Sequence, residues 1–197
     1  MSLQDLEKDY CFPTIISHKD YFPQQHWDWA SELFVGIDKE KIRIIVELGS
    51  FAGCGTTQFF YNFFNKPKII SVDVWNWPPE KSKNYTNQSY IFESFLKNVE
   101  NIKENVIPLK MNVQTGLKKI KEYGIEPDLI FHDASHHHPE VLEDLELIRS
   151  TFPKSIIAGH DYGDKWTGKM SIDIFVEKYK IELKTKGTIW LLGPEKR

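Results

Sequence analysis

An apolar, β-branched run that closes on an acid and breaks at once into glycines leaves a chain few ways to fold. Residues 42–57 read IRIIVELGSFAGCGTT: the run ends at Glu47, and Gly49, Ser50, Gly53 and Gly55 follow before Thr56 and Thr57 open QFFYNFF. The pattern is a strand, a tight loop and a helix N-terminus. Glycines let the backbone turn and let a ligand approach, and the helix end offers N–H donors with no intrahelical partner. That geometry suits an adenosine-bearing small molecule lying across a strand edge. The spacing Gly-x-x-x-Gly-x-Gly departs from the Gly-x-Gly-x-x-Gly of dinucleotide sites, and the lysine of a phosphate-binding loop is missing. The loop therefore points to a nucleoside cofactor without a pyrophosphate, although such turns also occur merely to close a βα unit.

From residue 41 to 197 short β-rich runs alternate with amphipathic ones. Strands are predicted at IRIIVEL, KIISVDV, NVIPLKM, DLIFHDA, KSIIAGH, IELKTK and TIWLLG, with helices at TTQFFYNFF, SYIFESFLKNVENI, VQTGLKKIKEY, PEVLEDLELIRSTF and SIDIFVEKY. In the second helix Ile91, Phe92, Phe95, Leu96 and Val99 recur at helical spacing, a stripe made to pack on a sheet. Five buried-looking runs, each followed by a helix, predict an α/β, doubly wound, mostly parallel seven-stranded sheet. The last two runs, with Lys186–Gly187 between them, predict an antiparallel hairpin at the sheet edge. Residues 1–40 differ: Tyr10, Phe12, Tyr21, Phe22, Trp27, Trp29 and Phe34 are interrupted by Pro13 and Pro23. They read as an aromatic cap on the sheet edge or as a lid over the site, and the two are compatible.

Composition narrows the class. A chain of 197 residues is long enough for one unstapled core, and its formal charge of -3 gives no electrostatic case for nucleic acid or an acidic membrane. Lysines are scattered among glutamates, as on solvated helices. Cys11 and Cys54 read as two free thiols in a reducing compartment. There is no apolar run of membrane-span length, and MSLQDLEKDY lacks a signal-peptide core. The expectation is a cytoplasmic protein with a small-molecule partner; its oligomeric state stays open, a homodimer included.

In an open parallel sheet, ligands sit at the carboxyl ends of the strands near the switch in strand order. The second strand ends at Asp73, whose carboxylate suits ribose hydroxyls; Val74 follows, and Trp75 either covers an adenine face or joins the core. The third runs into Met111 and Asn112, which can border an adenine, although a methionine there is more often plain packing. The fourth ends His132, Asp133, Ser135, His136, His137, His138, and the fifth His160, Asp161, Tyr162. Asp133 and Asp161 are expected at adjacent strand ends, where two carboxylates and an imidazole can surround Mg²⁺ or another divalent cation. His136 is placed to take a proton from a substrate hydroxyl, since an imidazole titrates near neutrality. His132, inside an apolar strand, also reads as a satisfied core histidine, and His138 as part of a helix start. No Cys-x-x-Cys pair supports zinc, and no Gly-x-Ser-x-Gly elbow supports a hydrolase.

Together VELGSFAGCGT and SVDVW resemble the first motif and the second-strand acid of class I S-adenosylmethionine-dependent methyltransferases. DLIFHDASHHHPEVLEDLELI and IIAGHDY are similar to a branch that contains O-methyltransferases of sugars and natural products. The resemblance spans roughly residues 42–193. It implies a Rossmann-like methyltransferase domain over residues 41–197, S-adenosylmethionine as cofactor, and Glu47, Gly49, Ser50, Gly53, Asp73 and Trp75 as cofactor contacts. Local context adds Gly55, Thr56, Val74, Asn112 and Asp133 to them. The same resemblance makes His136 the base and Asp133, His160 and Asp161 the metal set; His160 stands where a metal-binding relative has Glu. Ser135 and His138 depart from the branch pattern, as does PKSIIAGH before the fifth strand. The activity implied is O-methylation of a sugar or small-metabolite hydroxyl. The rivals are an N-methyltransferase, an enzyme using another nucleoside, and a cofactor-binding module without transfer activity.

Overall fold

Side-chain alternation along short central strands decides what lies on each face of the sheet. The computed structural model describes residues 1–13, 30–76, 90–163, 165 and 167–195. The chain runs α1 (Leu3–Asp9), α2 (Ser31–Phe34), β1 (Ile44–Leu48), α3 (Thr56–Phe63), β2 (Lys68–Asp73), α4 (Tyr90–Asn98), β3 (Val106–Lys110) and α5 (Val113–Glu122). It continues through β4 (Leu129–His132), α6 (Glu140–Thr151), β5 (Ile156–Gly159), α7 (Gly168–Tyr179), β6 (Ile181–Lys186) and β7 (Ile189–Glu195). Successive strand residues leave opposite faces. Ile45 and Ile69 therefore join one apolar cluster, and Val46, Leu48, Ile70 and Val72 the other. The first cluster is closed by Phe34 of α2, Phe59 and Phe60 of α3, and Phe95 of α4. The second is closed by Leu117 of α5, Leu145 of α6 and Phe175 of α7, with Leu6 of α1.

The sheet has seven strands in the order β3-β2-β1-β4-β5-β7-β6. The pairs β1–β2, β2–β3, β1–β4 and β4–β5 are parallel, whereas β7 is antiparallel to both neighbours. This is the doubly wound sheet with a C-terminal edge hairpin that the alternation predicts. Its turn falls at Gly187–Thr188, one residue later than the sequence suggests, because β6 extends through Lys186. The hairpin also folds inward, so that β7 pairs with β5 and only β6 is left at the edge. Gly159 makes this possible: a Cβ there would lie 2.3 Å from the ring of its cross-strand partner Trp190.

Of the N-terminal aromatics, Phe34 is fully buried, with the rings of Phe59, Phe60, Phe63 and Phe64 between 5.7 and 6.2 Å away. Tyr10 and Phe12 pack partly against opposite clusters. Tyr21, Phe22, Pro23, Trp27 and Trp29 lie outside the described residues. Both cysteines are free thiols, Cys11 exposed and Cys54 buried. Among the described residues no helix is long and apolar enough to cross a membrane. Strand order reverses about β1, whose chain continues toward α3 while β4 continues toward α6, so the loops after β1 and β4 frame the crevice.

Candidate active site

Alternation sends Glu47 to the same face as Ile45, toward α3. There its carboxylate is fully buried and accepts bonds from Thr56 Oγ1 at 2.5 Å, Thr57 Oγ1 at 2.7 Å and Ser71 Oγ at 3.3 Å. Ser71 is the residue beside Glu47 on β2. Burial pushes the Glu47 carboxyl above its ordinary 4.5, against the pull of these hydroxyls. Expected at the cofactor, Glu47 and Thr56 thus hold the first turn of α3 onto β1, where α3 carries no side-chain cap of its own. Ser50 lies in the same loop, buried, with its hydroxyl 3.5 Å from the Glu47 carbonyl. Gly55 is the N-cap of α3.

Gly49 carries φ +88, and its N–H reaches the Val72 carbonyl at 2.8 Å. A Cβ at Gly49 would sit 2.1 Å from the Asp133 carbonyl oxygen, so the glycine loop after β1 and the loop after β4 touch backbone to backbone. Gly53, at φ +61, is also closely packed: a Cβ there would lie 2.8 Å from the Phe95 ring.

Asp73 closes the second wall. One carboxylate oxygen accepts the N–H of Phe51 and the other that of Trp75, both at 2.8 Å. Burial raises its pKa while these amides oppose the rise. Trp75 is buried against Phe92 and Phe95, with its indole N–H on the Phe51 carbonyl at 2.6 Å. Of the two roles open to it, the core role is the one observed. Val74 is 42% exposed beside it. Asn112 is exposed and caps α5, its side chain accepting from Thr115 N at 2.8 Å, while Met111 N reaches the Asp73 carbonyl at 3.0 Å. The loop NWPPEKSKNYTN beyond Asn76 lies outside the described residues, as do Asp164 and Trp166.

At the ends of β4 and β5 four titratable groups converge. His160 Nδ1 lies 3.6 Å from Asp133 Oδ1 and 3.2 Å from Asp161 Oδ1, and His136 Nδ1 contacts Asp161 Oδ2. All four side chains are partly buried. Asp161 takes φ +59, which turns its carboxylate back between the two imidazoles. Burial alone would raise Asp161, but His136 and His160 hold it well below the usual carboxylate range. Burial likewise opposes charge on His160, yet Asp133 and Asp161 push it up to about 9. His136 is raised by its bond to Asp161, against burial. Asp133 is raised by burial, with His160 and His136 pulling the other way.

The other histidines separate cleanly. Alternation sends His132 to the α6 face, where Nε2 lies 2.9 Å from Asp144 Oδ2; the other Asp144 oxygen takes Gln114 Nε2 at 2.6 Å. It is the satisfied core histidine its setting allows. His138 ties the loop to α7, through Thr167 and Ser171 at 2.9 Å each, just before Pro139 caps α6. His137 is exposed. Two partners escaped the sequence: Asp144, which interrupts the apolar stripe Val141, Leu145, Ile148, and Thr188, whose hydroxyl lies 2.7 Å from His160 Nε2. The stripe was a usable signal for the first; the second needed the strand order. A cavity of about 660 Å³, lined in part by Glu7, Lys68, Lys103 and Val106, opens at the amino ends of β2 and β3 instead. Ligand chemistry in this fold belongs to the other end of the strands.

Comparison with known proteins identifies the family. A model of a methyltransferase-domain family matches residues 46–162, from β1 through the loop after β5. No curated protein sequence matches the chain. Among solved structures, Aeropyrum pernix fibrillarin with natively bound S-adenosyl-L-methionine is 13% identical with TM-score 0.55, over 85% of this chain and 74% of its own. Podospora anserina methyltransferase PaMTH1, bound to S-adenosylhomocysteine, is 12% identical with TM-score 0.60, over 85% and 78%. CalS11, a TDP-rhamnose 3'-O-methyltransferase of calicheamicin biosynthesis, is 15% identical with TM-score 0.56, over 83% and 76%. At these identities the structures attest the fold. The family match covers more than half of the chain and carries the identity: this protein belongs to the methyltransferase-domain family and is a class I, S-adenosylmethionine-dependent methyltransferase.

Proposed function

We propose that the enzyme methylates a hydroxyl oxygen of a sugar or another small metabolite. The observation that carries this reading is the pairing of His136 with Asp161 beside the cofactor loop. With Nδ1–H donated to Asp161, a neutral His136 imidazole has its lone pair on Nε2, the atom that takes the hydroxyl proton. The substrate oxygen attacks the sulfonium methyl in line, the C–S bond breaks as the O–C bond forms, and S-adenosylhomocysteine leaves. Asp161 orients the base and stabilises the imidazolium that results. Gly49 and the Asp73 wall hold the cofactor side of the reaction, and their rigidity supplies alignment. The likeness of the fold to CalS11, whose acceptor is a sugar, supports the substrate class.

The residues also fit a divalent cation. His160 and one carboxylate oxygen each of Asp133 and Asp161 offer ligand atoms all within 4.8 Å of one another, a mixed oxygen and nitrogen set. When bound there, such a cation lowers the pKa of a hydroxyl it holds. Titration calorimetry with S-adenosylhomocysteine tests the cofactor half of the proposal, and absence of heat and of any thermal shift would sink it. The acceptor half is tested with a panel of sugars and phenols. His136→Asn should lower kcat about 10²- to 10⁴-fold, the usual contribution of a positioned base, with cofactor affinity kept. Methylation of amine acceptors alone would favour nitrogen transfer instead.

A further inference from the structure

His160 is held at its backbone and at both ring nitrogens. Its N–H bonds the His132 carbonyl at 3.1 Å, and its carbonyl accepts the Trp190 indole N–H at 2.9 Å. These contacts fix its backbone between β4 and β7 but do not themselves set which way round the ring lies about its bond to Cβ. A half-turn would exchange Nδ1 for Cδ2 and Nε2 for Cε1, presenting carbon to Asp133 and Asp161 in place of the nitrogen at 3.6 and 3.2 Å. The hydroxyl of Thr188, 2.7 Å from Nε2, opposes that half-turn, since carbon at the same place gives it no bond. Thr188 is itself anchored: its carbonyl accepts the Tyr162 N–H at 2.8 Å, and it follows Gly187 at φ +58 in the turn between β6 and β7.

We infer that Thr188 is a positioning residue for methyl transfer, locking the His160 ring with Nδ1 toward Asp133 and Asp161. The inference rests on the reading of those three residues as reaction machinery. A hydroxyl suits the task because it both donates and accepts. It can therefore serve His160 whether Nε2 carries a proton or not. The site would thus be completed by the C-terminal hairpin, the part of the sheet farthest in sequence from the cofactor loop. Thr188 is exposed, so its replacement leaves both apolar clusters intact.

The test compares Thr188→Val, which keeps the shape and loses the hydroxyl, with Thr188→Ser, which keeps the hydroxyl. In ¹⁵N-histidine-labelled protein the His160 ring cross-peaks are assigned by their loss in His160→Gln. They should move in Thr188→Val and return near wild-type positions in Thr188→Ser. Mn²⁺ affinity, read by electron paramagnetic resonance, should fall about tenfold or more in the valine variant, as when an outer-shell partner of a ligand is removed. Unmoved cross-peaks in Thr188→Val would overturn the inference. So would equal displacement in both variants, which would mark a packing role. Wild-type protein that failed to bind S-adenosylhomocysteine would defeat the cofactor reading, whereas the ring position is read without cofactor.

Discussion

Glu47, expected among the cofactor contacts, is also a buried structural group. It lies at the end of β1, yet alternation with Ile45 aims it at α3, and three hydroxyls engage its two oxygens. Glu47→Ala should therefore cost roughly 2–4 kcal/mol by orphaning buried hydroxyls, measured by urea unfolding. Glu47→Gln should behave differently with pH. Burial raises the folded pKa above 4.5, so the folded state retains a proton that the unfolded state has released. The contribution of Glu47 to stability is fully present below pH 4.5 and is lost as pH rises toward the folded value. The glutamine variant lacks this loss, so its stability relative to wild type should grow as pH rises above about 4.5. A difference flat in pH would show that the buried carboxyl does not titrate on folding.

At the scale of elements, one polar knot joins three of them. Asp144 of α6 serves both His132 of β4 and Gln114 of α5 in a buried setting. Asp144→Ala should cost about 2 kcal/mol by leaving the buried His132 ring nitrogen unsatisfied, while the exposed Gln114 amide turns to water, with affinity for S-adenosylhomocysteine unchanged. Lost cofactor affinity at full stability would contradict that assignment. The same knot explains what was legible. Helix and strand identities follow from periodicity, as in the stripe Ile91, Phe95, Leu96, Val99 of and just after α4. The ends of β4 and β5 were legible too, because acids and imidazoles cluster there in sequence. The histidines were legible as alternatives, His132 inside the apolar strand and His136 in the loop beyond it, but the partner of His132 was not, because it lies on α6, the helix packed on the face that His132 leaves. Thr188 was harder still, since its role depends on β7 lying between β5 and β6.

Across the whole molecule, the cofactor should act as a thermodynamic brace. A ligand that binds only the folded state at one hundred times its dissociation constant adds about 2.7 kcal/mol. For a chain of 197 residues that corresponds to roughly 5–10 °C in Tm, read by a thermal melt with S-adenosylhomocysteine. Gly49→Ala should abolish the shift, because its Cβ would meet the Asp133 carbonyl at 2.1 Å with the backbone held at φ +88. A normal shift in that variant would mean that the loop after β4 gives way.

That contact also limits how such an enzyme can diversify. The loops after β1 and β4 are separated by no more than the thickness of two peptide backbones, with no side chain interposed to act as a spacer. The spacing between these two loops is thus set by main-chain atoms rather than by the size of any side chain. On the proposed function, which puts the donor at one loop and the acceptor at the other, a new acceptor is accommodated by other surfaces.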